Sequence, residues 1–477
     1  MFRIAGRRAA GPSFVPAARG RKRLADSSRP SRAGIRTSRR TSSPSASSRS
    51  EVGVDAAVPI GTAGRAYGRL PTAVGYRRRV TGTQDGGTYD AIVVGLGGIG
   101  SAAAYRLAAA GGGRRILGLE QFELGHDRGA SSDVSRITRL SYHRREYVEL
   151  AIEAQASWRE IERACGETIL TITGGLDLAP PNPAESIDDY AAAMTAAGVG
   201  FEWLDAVEVA RRWPTWRLDP DTRAIFQEAG GIADPERGNG AHQHLARAAG
   251  ASLLERTRVS AIDDRGGELS VRTDDGRRFS TGSVVVAADA WTNELLEPLG
   301  HALPLTVTRE QVTWFEAPNP AAFDPGRFPI WIWLGRPSFY GLPTYRGPGP
   351  KVAEDVGGRV TSAGGRTFLT DPDCLARVET FLAARMPGSI GPAVRTKTCL
   401  YTLTPDRDFV IDRLPEHSGV IVALGSAHAY KFAALLGTLL AELALDPTRP
   451  APGPELEPFA IDRPALATST TNLATTA

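Results

Sequence analysis

Across 477 residues the chain carries 56 Lys and Arg against 53 Asp and Glu, a formal charge of +3, with 42% hydrophobic residues. No apolar run reaches the roughly 18 to 20 residues that cross a bilayer, so no membrane span is expected, and three cysteines (Cys165, Cys374 and Cys399) argue against a disulfide scaffold and for a reducing compartment. The near-neutral total hides a split: residues 1–88 hold 17 Arg and 1 Lys against 4 acids, a charge of +14, which leaves −11 for the remainder.

Residues 1–88 are rich in Arg, Ser, Ala, Gly and Pro, with 11 Ser in the first 50 and neither a helical nor a strand period, which is the composition of a disordered basic leader. Three readings stay open for it: an organelle transit peptide, a basic arm for an anionic partner, and an extension outside the functional protein. No aromatics are interleaved for base stacking, so nucleic acid is not an expected partner. A cytoplasmic location is expected, or an organellar one if the leader is a transit peptide.

Order begins at Tyr89. Asp90-Ala-Ile-Val-Val-Gly95 is a short apolar run ending in glycine, as a buried parallel strand should be. Gly98 to Ala110 has helical spacing, and Arg115 to Glu120 gives a second strand, so the segment predicts a βαβ unit. Further on, Ala241 to Gly250 reads as a helix, Leu269 to Ser280 as a hairpin around Asp275-Gly276, and Ser283 to Ala288 as another buried strand. Gly419 to Gly425 is a strand and Tyr430 to Leu445 a helix. Between these, Gln311 to Glu316 and Ile330 to Leu334 cluster β-formers and put Trp331 and Trp333 on one strand face. The expected fold is α/β (α+β): a Rossmann-like dinucleotide domain from residues 89–180, 230–303 and 395–466, and a β-sheet-rich substrate domain from 181–229 and 304–394. Residues 467–477 are expected to be a disordered tail.

Gly95-x-Gly97-x-x-Gly100 lies between the first strand and helix, with Glu120 closing the next strand. The first glycine permits a tight turn, the second admits a pyrophosphate, the third allows close packing, and Glu120 accepts ribose hydroxyls. The motif alone does not separate FAD from NAD. Beyond it, Gly129-Ala-Ser-Ser-Asp-Val-Ser-Arg136-Ile-Thr-Arg139 presents two arginines three apart, a spacing that puts both on one face if the segment is helical. They are either solvated cations or a clamp for an anionic substrate or a flavin edge. Only four lysines occur beside 52 arginines: Lys22, Lys351, Lys397 and Lys431. Where Arg replaces Lys so widely, the lysines kept in the body are candidates for work that needs a compact, titratable ammonium.

The order of the glycine motif, the Ser-rich Arg-x-x-Arg segment, Lys397-Thr-Cys399-Leu-Tyr401-Thr-Leu-Thr-Pro-Asp406 and His428-Ala-Tyr-Lys431-Phe432 resembles the monomeric sarcosine oxidase and N-methyl-L-tryptophan oxidase family of flavoproteins, from about Tyr89 to Leu466. The resemblance implies FAD held by a thioether to Cys399. It also implies a substrate carboxylate on Arg139 and Lys431, Arg136 beside the isoalloxazine, and Tyr401 and His428 lining the pocket over the flavin. Lys351 matches the lysine that activates oxygen, where a positive charge favours electron transfer to it; Lys397 matches no catalytic position. The activity implied is oxidation of a secondary amino acid to an imine with oxygen reduced to hydrogen peroxide, by a monomer. The alternatives are a flavin dehydrogenase with another acceptor, or a degenerate flavoprotein whose leader binds anions. The chain departs from the family pattern at Ser132-Asp133, where His-Gly is common, at Asp289, where Gly is, at Asp355, where His is, and at Ala427 and Ala429, which flank His428 in place of glycines.

Overall fold

The computed structural model describes residues 85–449 and 456–467. The leader is therefore outside the described residues up to 84, and the tail from 468. The leader boundary expected at residue 88 moves back: Asp85–Tyr89 forms a strand that pairs in parallel with Arg278–Thr281.

The glycine motif sits in a six-stranded sheet whose order is Ser252–Leu254, Ile116–Leu119, Ala91–Val94, Val284–Val286, His417–Leu424 and Val410–Leu414. The first five strands run in parallel and the last returns antiparallel. Ala91 to Val93 and Val284 to Val286 are fully buried, because a parallel sheet is covered on both faces and its strands lack polar alternation. One covering layer is helical: Gly98–Ala109 packs on the apolar helix Ala433–Leu445 and on Pro235–Ala248. The last of these begins six residues before the expected Ala241, with Asp234 accepting the Arg237 amide at its N-cap and Pro235 in its first turn. Trp331 and Trp333 do share a strand face, and both are core: they pack on Phe381 of the helix Pro372–Arg385. No helix among the described residues is long and apolar enough to cross a membrane.

The second large sheet has the order Arg359–Val360, Thr306–Phe315, Lys351–Glu354, Phe339–Leu342, Ile330–Trp333, Gly175–Ala179, Arg223–Gln227 and Glu202–Asp205, with Ala393–Leu403 alongside Thr306–Phe315. Two segments expected in the dinucleotide domain thus pair into this sheet instead: Gly175–Ala179 with Ile330–Trp333, and Ala393–Leu403 with Thr306–Phe315 over ten register positions. Their partners lie about 90 to 155 residues away in the chain, a separation at which local periodicity carries no pairing information.

Candidate active site

A cavity of ≈ 510 Å³ runs from the glycine turn to the second sheet, and nine of the eleven residues expected in the site line it; Gly100 and Cys399 do not. At one end Gly95 turns the chain out of its strand with φ +89°, and a Cβ there would lie 2.4 Å from the Ala287 carbonyl oxygen. A Cβ on Gly100 would come within 1.8 Å of the Gly95 carbonyl oxygen, so Gly100 lets the helix start close under the turn. The Glu120 carboxylate accepts the Leu96 amide at 2.8 Å and the Phe122 amide at 3.1 Å, and His126 lies 3.4 Å away. Burial pushes this carboxyl up, but His126 and the two amides outweigh it and hold it below its ordinary value. The Gly98 amide at the helix N-terminus donates to the Ser131 hydroxyl at 3.0 Å.

Arg136 and Arg139 are not on a helix. Arg136–Thr138 is a strand paired with Gly231–Ala233, so side chains three apart point in different directions. Arg136 is drawn into its own loop: Nη1 donates to Asp133 Oδ2 and the Ser135 carbonyl, both at 3.0 Å, and Nη2 donates to the Ala130 and Ser132 carbonyls at 2.9 and 2.6 Å. Arg139 donates to Asp177, itself 2% exposed, at 3.1 Å. Its guanidinium lies 4.7 Å from the Tyr142 ring centre and 5.7 Å from that of Tyr190.

Lys431 follows His428 in a short 3-10 turn, Ala429–Phe432, that leads into the last long helix. It forms no ion pair among the described residues, although it lines the cavity and lies 6.0 Å from the Tyr142 ring centre. Burial, and then the neighbouring Arg139, lower its ammonium to about 7, against the opposing pull of Asp355. His428 is also held neutral: burial and then Lys431 lower its imidazole to about 3. Its Nε2 lies 2.9 Å from the Arg407 carbonyl oxygen, which only accepts, so Nε2 carries the hydrogen and Nδ1 keeps the lone pair.

Lys351, 2% exposed, donates to Asp133 Oδ2 at 2.9 Å and to the Ser135 carbonyl at 2.6 Å. Burial lowers its ammonium to about 8, with Asp133 opposing. Asp133 takes φ +124°, a backbone region that L side chains rarely adopt and that costs on the order of 1–3 kcal/mol. Burial pushes its carboxyl up, yet Lys351 and then Arg136 outweigh burial and keep it ionised.

Tyr401 is half-buried beside Tyr340, and their removal from bulk water pushes both phenols up. Cys399, 7% exposed, lies two residues from Tyr401 on the same strand and opposite Glu310 in the antiparallel pair. Burial raises its thiol, while the nearby Arg136 pulls the other way. Lys397, on the same strand, lies outside the cavity. Asp355 pairs with Arg407 at 3.0 Å in the cavity wall. The sequence reading missed Asp177, Tyr142, Tyr190 and Arg407; Tyr142, three residues after Arg139, was the one within reach of a local pattern.

The cavity fits a dinucleotide. The glycine turn leaves room where a Cβ would stand, the helix N-terminus faces it, and Glu120 closes the adjacent strand with carboxylate lone pairs to spare. FAD, where bound, would be held by Gly95, Gly97 and Glu120 at one end and would meet Arg136, Lys351 and Tyr401 at the other.

The profile of the family described as FAD dependent oxidoreductase matches residues 90–443. The chain is 35% identical to the monomeric sarcosine oxidase of Streptomyces avermitilis over 369 residues, covering 76% of this chain and 94% of that protein. It is 30% identical to the N-methyl-L-tryptophan oxidase of Yersinia pestis, over 76% of this chain and 96% of that one. Among solved structures it is similar to the open form of NikD, an unusual amino acid oxidase essential for nikkomycin biosynthesis, with 29% identity and a TM-score of 0.68 over 76% of this chain and 95% of that one.

Proposed function

The chain belongs to the FAD dependent oxidoreductase family, and from that premise we propose that it oxidises a secondary amino acid, N-methylated or cyclic, with oxygen as the electron acceptor. The observation that carries this reading is a pair of cations lining the cavity: Arg139, braced between two tyrosines, and Lys431, whose ammonium forms no ion pair with a carboxylate among the described residues. A pocket that presents a half-buried ammonium without an ion-pair partner beside a guanidinium is built to take in an anion.

The substrate carboxylate is held by Lys431 and the free edge of Arg139. Asp177 fixes the guanidinium and leaves its remaining N–H groups to donate. His428 is neutral at working pH and donates its only N–H to Arg407, so it offers the amine an acceptor and no proton. A substrate bound as the neutral amine keeps the nitrogen lone pair that drives loss of hydride from the carbon beside it. FAD, held by Gly95, Gly97 and Glu120, would supply the hydride acceptor and the route for the electrons to oxygen. The imine leaves and hydrolyses in water, so the sum is amine plus oxygen giving imine and hydrogen peroxide. Lys351 supplies the positive charge on the oxygen side. Cys399, on the strand that carries Tyr401, is the proposed thioether link to the cofactor. The enzyme is proposed to act as a monomer.

Peroxide release from the purified protein over sarcosine, N-methyltryptophan, pipecolate and fructosyl amino acids tests the reading. Peroxide in step with consumption of one of these amines is expected. Anaerobic bleaching of the flavin by substrate with no peroxide in air would instead establish a dehydrogenase that uses another acceptor.

A further inference from the structure

The oxygen-side lysine is not a free cation in this chain. One carboxylate oxygen, Asp133 Oδ2, takes hydrogen bonds from both Lys351 Nζ at 2.9 Å and Arg136 Nη1 at 3.0 Å, while Oδ1 accepts the Val134 amide at 2.7 Å. To put the carboxylate there, the backbone of Asp133 occupies φ +124°, a conformation that suits glycine. Backbone strain at a buried charge is a sign of a constrained role. The ammonium is fixed further by the Ser135 carbonyl at 2.6 Å and by the Trp314 ring, whose centre is 5.5 Å away. Asp133, Arg136 and Cys399 are the titratable and charged groups that face it, and its strand neighbours on either side, Trp314 and Leu342, carry no charge.

We propose that Asp133 is a positioning residue for the oxygen half of the reaction: its carboxylate clamps Lys351 and Arg136 to one point of the cavity wall and reduces the positive charge they present there from two to one. The inference rests on the reading that Lys351 serves oxygen. It has two consequences of opposite sign, which separate with pH. The carboxylate offsets the field of the two cations, and so slows electron delivery to oxygen while both are protonated. It also keeps a buried ammonium charged to higher pH than burial alone would allow.

The test uses the flavin-loaded enzyme and its Asp133→Gly and Asp133→Asn variants. Glycine removes the carboxylate and accepts the backbone angle, and asparagine keeps the side-chain shape. Two quantities are read: the midpoint potential of the bound flavin, and the rate at which oxygen reoxidises the reduced enzyme from pH 6 to 9. At pH 6 both variants should show a more positive potential and reoxidation faster by about tenfold, the effect of one uncompensated charge at roughly 10 Å in a partly screened site. The fall in rate with rising pH, which Lys351 places near pH 8 in the parent, should move at least one pH unit lower. An unchanged potential and pH profile in both variants, with Lys351→Met slowing reoxidation, would overturn the role of Asp133 and leave that of Lys351 standing. Reoxidation of Lys351→Met at the parent rate would overturn the reading of Lys351 and the inference with it.

Discussion

Replacing Lys431 by Met removes a cavity-lining ammonium that titrates near neutrality. A hydrogen bond to a charged group contributes about 1.5–3 kcal/mol, so the loss should lower kcat/KM for a carboxylate substrate by roughly 10- to 150-fold at pH 6. The sign of the pH effect follows from the ammonium. Burial and then Arg139 bring it down to about 7, so it is charged below that pH and neutral above it. Carboxylate capture by the parent enzyme should therefore weaken as pH rises through 7. The drop belongs to kcat/KM, which reports the free enzyme, because a bound carboxylate holds the ammonium protonated in the complex. Arg139 stays cationic throughout and produces no such drop. Protonation of the substrate amine gives a rise toward alkaline pH that both enzymes share.

The assay is initial-rate peroxide formation from pH 5.5 to 9 with the parent and Lys431→Met, repeated with the substrate amide in place of the acid. The amide should cost the parent more than the mutation does, because it gives up Arg139 as well, and should cost Lys431→Met less than it costs the parent, because one of the two interactions is already gone. A Lys431→Met enzyme that keeps both the parent kcat/KM at pH 6 and the drop near pH 7 would refute the assignment of the unpaired ammonium to the substrate carboxylate.

Cys399→Ala should lose the flavin to the supernatant on acid precipitation, whereas the parent pellet stays yellow; a yellow Cys399→Ala pellet refutes the thioether. Gly95→Ala should be purified with little flavin and a lowered Tm, because the new Cβ meets the Ala287 carbonyl at 2.4 Å on a backbone with φ +89°. Glu310→Gln addresses stability: burial raises this carboxyl from 4.5 to about 7, so the folded state holds the proton more tightly than the unfolded chain does. Its stabilising contribution is complete below pH 4.5 and is lost as pH rises through 7. Urea unfolding should find the two proteins alike near pH 4.5 and the Gln variant more stable by about 3 kcal/mol at pH 8.

The parts of the fold legible beforehand are those whose cause is local. Ala91 to Val94, the glycine turn and Gly98–Ala109 are specified by an apolar run, a backbone angle and a helical spacing, all within some twenty residues. The hairpin at Asp275-Gly276 is of the same kind. Membership of Gly175–Ala179 and Ala393–Leu403 in the second sheet has a distant cause, since each strand is placed by partners that no short window contains. The Arg136 segment was misjudged for a related reason: a spacing of three suggested a helical face, but Arg136–Thr138 pairs as a strand with Gly231–Ala233, and Arg136 and Arg139 reach different carboxylates, Asp133 and Asp177, while lining one cavity.

The site divides along the same line. The scarcity of lysine raised Lys351, Lys397 and Lys431 alike, because a generic surface cation in this chain is an arginine; Lys397 does not line the cavity, and Lys351 and Lys431 do. What decides their chemistry is the counter-charge each one has, and that is set in three dimensions. Lys351 meets Asp133 from 218 residues away, whereas Lys431 meets no carboxylate among the described residues. Two cavity-lining ammoniums drawn from the same composition, one buried and one half-buried, therefore have different uses. The paired one stays charged without a ligand and can act as a fixed field, and the unpaired one is completed only by an anion from outside. The resemblance assigns oxygen to the first and carboxylate to the second, and the difference in counter-charge agrees with that assignment; exchanging their environments by moving an acid from one to the other should exchange their pH dependence.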